Sequence, residues 1–360
     1  MRCGNPPMIK VMHPQGLSPP SKVKRLKPET VCRGGVSPNE APPPCLYAMG
    51  DRTVTNTPQT TQETKENSPN GAQEADGLLI DAMMIELVTT DLVAHDQIKH
   101  AIHEHFSAGG KRIRAHMALM AGVCLQLDAQ SRMAIAACCE LLHNASLIHD
   151  DIQDADTERR DQPSLWARYG RDLAICAGDQ LISAAYAALA QVTRPDAVGA
   201  LIRLTHRAVS RTVAGQNADL SQTGQALDDI TLYETIAGEK SGPLLGLPVV
   251  LPLFMADALA DIDTVDRLVR LIAIAYQFVD DIGDWREDQA QGSLNGVLVL
   301  CRAHQIEPTH AIQEAASLTR QHLQHARELA ATLPQGCGVV FDQLADRLDA
   351  KLAAELDHAA

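Results

Sequence analysis

From about Gly77 to the C-terminus, apolar side chains recur at every third or fourth position, and that spacing commits the chain to helices. Leu78, Leu79, Met83, Leu87 and Leu92 mark the first such face, and Ile135, Cys138, Cys139 and Leu142 a later one. Similar patterns fill 173–192, 198–220, 230–236, 265–279, 312–333 and 339–356. No segment alternates apolar and polar residues over a strand's length, and no repeat of fixed period suggests a solenoid. The chain is 45% hydrophobic but only 3% aromatic, so Ala and Leu carry its core, which suits closely packed helices rather than sheets. Gly109, Gly110, Gly170, Gly224, Gly292 and Gly336 supply the breaks. The expected fold is all-α, one large domain of roughly a dozen helices over residues 77–360.

Residues 1–76 differ in character. They are rich in Pro, Ser, Thr, Asn and Gln and lack a packable face, so a disordered leader is expected there. Nine Lys or Arg stand against seven Asp or Glu in this stretch, and the acidity of the chain lies in the remainder. Glu29, Glu40, Glu63 and Glu66 suit a targeting peptide poorly, and Met49 offers an alternative start. A chain beginning at Met49 is expected to keep its fold and activity.

A formal charge of −14 argues against nucleic-acid binding, which draws its affinity from basic residues neutralising phosphates. The nine cysteines include no C-x-x-C pair, so neither a disulfide framework nor a zinc site is expected, and the expected compartment is the cytoplasm. The longest uncharged run, Ser241 to Ala256, contains Pro243, Pro248 and Pro252 and is too short to span a membrane. It reads as a buried helix with proline-marked bends.

Two acidic clusters interrupt apolar helices. Asp150, Asp151 and Asp154 form D-D-I-Q-D, and Asp280, Asp281 and Asp284 form D-D-I-G-D. In a helix the first and last aspartate of each cluster project from one face, one turn apart, and can share a cation. A single such cluster is equally well a solvated helix end. Two copies, one after Leu141, Leu142, Leu147 and Ile148 and the other after Leu271, Ile272, Ile274, Phe278 and Val279, would repel and lose solvation unless cations neutralised them. Oxygen ligands without a His or Cys cluster point to Mg²⁺, which commonly bridges carboxylates to substrate phosphates. Gly109, Gly110, Lys111, Arg112, Ile113 and Arg114 make a glycine-flanked basic turn entering a helix, and Arg159 and Arg160 follow the first acid cluster. Both fit diphosphate binding.

These residues resemble the trans-isoprenyl diphosphate synthases, or polyprenyl synthases, from about Leu78 to the C-terminus. The resemblance rests on ordered motifs: G-G-K-R-I-R at 109–114, D-D-I-Q-D with R-R at 159, A-G-D at 177–179, G-Q-N-A-D at 215–219, K-S at 240 and Y-Q-F-V-D-D-I-G-D at 276–284. It implies an all-α bundle around a central cavity, usually a homodimer, acting on isopentenyl diphosphate and an allylic diphosphate. Lys111, Arg114 and His143 would hold the diphosphate of isopentenyl diphosphate with Arg160 assisting. The six aspartates would hold Mg²⁺ on the allylic diphosphate, with Arg159, Lys240 and Gln277 nearby. Product length would be set by residues before the first acid motif: Ala145 and Ser146 are small, Leu141 and Leu142 bulkier and a turn deeper, which favours geranylgeranyl diphosphate.

The sequence departs from the family in two places. No lysine occurs between Lys240 and Lys351, where family members carry lysines after the second acid motif that grip the allylic diphosphate; Arg286 and Arg302 are candidate replacements. Asp161 stands where a glycine is usual. Two alternatives share the scaffold: a terpene synthase, opposed by Lys111, Arg114 and His143, and a non-catalytic partner subunit, opposed by the six intact aspartates.

Overall fold

The computed structural model describes residues 69–90, 92 and 97–359. The expected leader lies outside the described residues up to position 68, as does the start at Met49. The first helix, α1 (Pro69–Thr89), begins earlier than the expected boundary at Gly77. Its opening residues are polar, so no apolar stripe announced them, while a proline at the first helical position loses no hydrogen bond.

The helices continue with α2 (Gln97–Ser107), α3 (Ile113–Cys124), α4 (Ala129–Gln153), α5 (Leu165–Tyr169) and α6 (Arg171–Leu189). They are followed by α7 (Val198–Leu220), α8 (Ile230–Met255), α9 (Ile262–Gln291), α10 (Gly296–His304), α11 (Pro308–Ala330) and α12 (Val339–Ala359). The six glycines expected to break helices all have positive φ. Gly292 is one of them: its left-handed backbone, at φ 74°, ends α9 and costs a residue without Cβ nothing.

The main core gathers small and branched side chains of α3, α4, α6 and α8, with Ala134, Ala137, Ala185 and Leu181 fully buried. Alanine at these crossings lets helix axes approach closely. A second core joins Tyr233 and Phe278 to α10 and α11. The three prolines of α8 are buried inside a single helix that runs through all of them, so the expected bends do not divide it. Among the described residues the only strands are the pair β1 (Glu158–Arg159) and β2 (Gln162–Pro163), joined by a two-residue turn. Both turn residues, Arg160 and Asp161, have positive φ, at 55° and 60°. Asp tolerates that region better than most residues, which accounts for its standing at a position usually held by glycine.

Candidate active site

α3, α4, α7, α8, α9 and α12 enclose a cavity of about 980 Å³. On α4 its wall consists of His143, Ser146, Leu147, Asp150, Gln153 and Asp154, the single face that a 3.6-residue repeat aligns. α9 contributes Ile272, Ala273, Tyr276, Gln277, Asp280 and Asp284 in the same way. The two acid motifs, 130 positions apart in sequence, therefore enter one space. Below them along the helices the wall turns apolar, with Leu244 and Leu245 of α8 opposite Ile272.

Within each motif the middle aspartate behaves differently from its neighbours. Asp151 is 1% exposed, and its carboxylate accepts from the Arg159 Nε at 2.6 Å. Asp281 is 2% exposed and accepts from the Tyr233 hydroxyl at 2.7 Å, from Gln277 Nε2 at 2.8 Å and from the Gly296 N–H. These two are committed to protein partners. Asp150, Asp154, Asp280 and Asp284 line the cavity, as Asp281 does, and of these Asp280 pairs with Lys351.

Electrostatics distinguish them further. Burial pushes Asp150 up to about 6, opposed by Lys240 and reinforced by Asp154. Asp154 and Asp284 are raised mainly by burial and further by acidic neighbours. Burial raises Asp281 to about 7 against its three hydrogen bonds. Lys240 donates to Asp219 at 2.7 Å, and burial, which would lower its pKa, is outweighed by Asp219, Asp150 and Asp154. Asp219 belongs to the G-Q-N-A-D motif, but nothing local in that motif marked it as the partner of Lys240.

The described residues include no preassembled cluster of three or more His, Cys, Asp or Glu donors. The donor set nevertheless fits Mg²⁺: two oxygen pairs, each one helical turn apart, in a partly buried site that resists the ionisation of Asp150, Asp154 and Asp284. Such an ion takes few carboxylates and completes its shell with water and phosphate oxygens.

Cationic side chains line the same cavity. Arg114 is half-buried on its wall, and its buried Nε has no hydrogen-bond partner. Burial lowers its pKa, and buried Glu140, which accepts the Ala115 N–H at 3.1 Å, offsets part of that effect. His143 is pushed well below its usual value by burial and then by Arg114, Arg160 and Arg159, so it is neutral near pH 7. Arg159 and Arg160 reach the wall from the β1–β2 turn, and Arg160 donates to the Gly109 carbonyl.

Several expected residues lie elsewhere. Lys111 is exposed and not on the cavity wall. Its neighbour Arg112 turns away, donating to Asp81 at 2.7 Å. Of the four floor candidates only Ser146 lines the cavity; Leu141, Leu142 and Ala145 belong to the main core. The reason is angular: at about 100° per residue, Ala145 and Leu141 each point roughly 200° around the helix from His143. Arg286 lies over the Trp285 ring and Arg302 donates to the Leu227 carbonyl, and neither lines the cavity. The structure instead brings in Lys351, from α12, which pairs with Asp280. Sequence spacing held no signal for that contact.

A family model described as polyprenyl synthetase matches residues 95–294. The chain is 36% identical over 197 residues to a chloroplastic geranylgeranyl pyrophosphate synthase of Capsicum annuum, covering 51% of this chain and 53% of that protein. It is 32% identical over 236 residues to a nonaprenyl diphosphate synthase of Mycobacterium tuberculosis, covering 65% of this chain and 68% of that protein. A (2E,6E)-farnesyl diphosphate synthase of Mycobacterium bovis is 33% identical over 188 residues, 51% of each chain. The chain thus spans about half the length of two of these relatives and two thirds of the other. In fold it is similar to a geranylgeranyl pyrophosphate synthetase of Geoglobus acetivorans, with a TM-score of 0.68 and 21% identity over 77% of this chain and 98% of that one. The relatives carry products of different lengths in their names.

Proposed function

The chain belongs to the polyprenyl synthetase family, and from that premise we propose that it is a Mg²⁺-dependent trans-prenyltransferase joining isopentenyl diphosphate to an allylic diphosphate. The observation that carries this reading is one cavity lined by two carboxylate pairs, by Arg114 and Arg160 with neutral His143, and by apolar side chains. Two charged ends suit two diphosphates. A cyclising enzyme needs only one.

Asp150 and Asp154, with Asp280 and Asp284, would hold Mg²⁺, which when bound supplies positive charge to the diphosphate leaving group. Arg159 and Lys240 stand beside the first pair to bear on the same end. Arg114, its Nε free of protein partners, and Arg160 would fix the second diphosphate, with neutral His143 able to donate one hydrogen bond. In the reaction the allylic C1–O bond breaks, the isopentenyl double bond supplies the electrons of the new carbon–carbon bond, and a proton leaves the adjacent carbon. The released diphosphate takes that proton. Leu147, Leu244, Leu245 and Ile272 keep water from the cationic carbon.

Geranylgeranyl diphosphate is the proposed product. The support is that small Ser146 and Ala273 line the cavity wall a turn or more below Asp150 and Asp280. The proposed assembly is a homodimer in the cytoplasm; in favour of that compartment, the six described cysteines are all free, while no described helix is long and apolar enough to cross a membrane. Purified protein incubated with labelled isopentenyl diphosphate, Mg²⁺ and each of dimethylallyl, geranyl and farnesyl diphosphate should yield a C20 product by chromatography. Release of diphosphate without incorporation of label would replace elongation with cyclisation.

A further inference from the structure

The last lysine of the chain occupies an unexpected place. Lys351 lies 71 positions beyond Asp280, yet its ammonium pairs with that carboxylate and sits 5.7 Å from the centre of the Tyr276 ring. The placement is not an isolated surface contact. Leu344, Leu348, Lys351 and Glu355 recur at the spacing of one face of α12. The first two line the cavity, while Glu355 packs so tightly on Gly283 that a Cβ there would meet its Oε2 at 2.8 Å. α12 is thus registered along α9, with the one cation of this face, Lys351, aligned to the acid pair.

Resting on the proposed prenyltransferase reading, we infer that Lys351 is a substrate-binding cation that changes partners: it neutralises Asp280 in the unliganded protein and moves to the allylic diphosphate when Asp280 takes the divalent ion. The chemistry favours the exchange. The Lys351 side chain is 43% exposed and that of Asp280 25%, and an ion pair so wetted gives up little when it opens. A doubly charged cation outcompetes an ammonium for a carboxylate, and the diphosphate it brings gives the displaced ammonium a stronger anion. No other lysine follows Lys240, and Arg286 and Arg302 are engaged elsewhere.

Calorimetric titration with inorganic diphosphate in excess Mg²⁺, and titration with Mn²⁺ alone followed by electron paramagnetic resonance, test the exchange on the full chain. Lys351→Gln should weaken diphosphate binding about tenfold, the scale of one charge-assisted hydrogen bond. The same change should strengthen Mn²⁺ binding, since Asp280 loses its competitor. KM for the allylic substrate should rise while that for isopentenyl diphosphate stays put. Damage to packing alone would weaken both titrations together. Lys351→Arg should restore diphosphate binding, and Lys351→Met, which keeps the stem over Tyr276, gives the same two readouts if the glutamine variant does not fold. Unchanged diphosphate affinity in these neutral variants, or metal and diphosphate affinities falling together, overturns the role of Lys351 alone. Failure of the unaltered chain to bind diphosphate with Mg²⁺ overturns the prenyltransferase reading and this assignment with it.

Discussion

Asp150 and Asp151 are neighbours in sequence and opposites in environment. Asp150 faces the cavity with Lys240 and Asp154 nearby; Asp151 is turned inward onto Arg159. Asp150→Asn should therefore lower kcat by about a hundredfold or more with little change in thermal midpoint, as expected when one preorganised electrostatic partner is removed. Asp151→Ala should instead lower stability by about 1.5–3 kcal/mol, because it strips a charged hydrogen bond and strands Arg159. Paired kinetic and calorimetric measurements separate the two, and equal losses of stability would contradict the assignment. Asp281 gives a pH signature. A carboxyl whose pKa rises on folding, here from 3.8 to about 7, holds its proton more tightly in the folded chain. Its stabilisation is complete below the unfolded value and is lost as pH rises through the folded one. The half-buried neutral histidines His105 and His143 act in the opposite sense as pH falls below 6.5. Unfolding measured without divalent ions should thus lose the Asp281 contribution between pH 3.8 and about 7, and Asp281→Asn should remove that part of the pH dependence.

At the level of whole helices, the faces decide what a substitution can reach. Ser146 stands on the cavity side of α4 and Ala145 on the side packed into the core. Ser146→Phe should put a ring across the cavity and shorten the product toward C15, as chromatography of the elongation products would show. Ala145→Phe should instead overpack the core at a cost of about 1–3 kcal/mol. A clean shortening by Ala145→Phe, with unchanged stability, would mean that the cavity extends behind α4. Where α7 crosses α8, the two backbones nearly touch: a Cβ on Gly215 would lie 2.3 Å from the Lys240 nitrogen. Gly215→Ala must therefore push the helices apart, and with them the Asp219–Lys240 pair that sits one turn beyond. The expected result is a lowered thermal midpoint together with weaker diphosphate binding; an alanine variant with both unchanged would show that the crossing yields freely. The glycine of that motif thus has a steric reason that its sequence neighbours do not disclose.

For the whole molecule, the core and the acid pairs are separable. The two buried clusters are built from apolar side chains that need no ion, so chelation should abolish turnover while leaving helical circular dichroism intact; loss of the fold on chelation would make the cation structural. What the sequence determined on its own was whatever depends on neighbours a few positions apart. Three- and four-residue spacing specified helices over most of 77–359, the six glycines marked their breaks, and the Asp150–Asp154 and Asp280–Asp284 spacings implied paired carboxylates, because helix geometry converts short intervals directly into faces. Residues 69–76 escaped that logic for want of an apolar stripe. Only the tertiary structure decided which face meets which space. It turned Ala145 into the core and Ser146 to the cavity, committed Asp151 and Asp281 to Arg159 and Tyr233, and carried Lys351 across to Asp280. Such contacts depend on where helices distant in sequence cross, and crossing is set by the summed packing of all their side chains, to which no local pattern gives access.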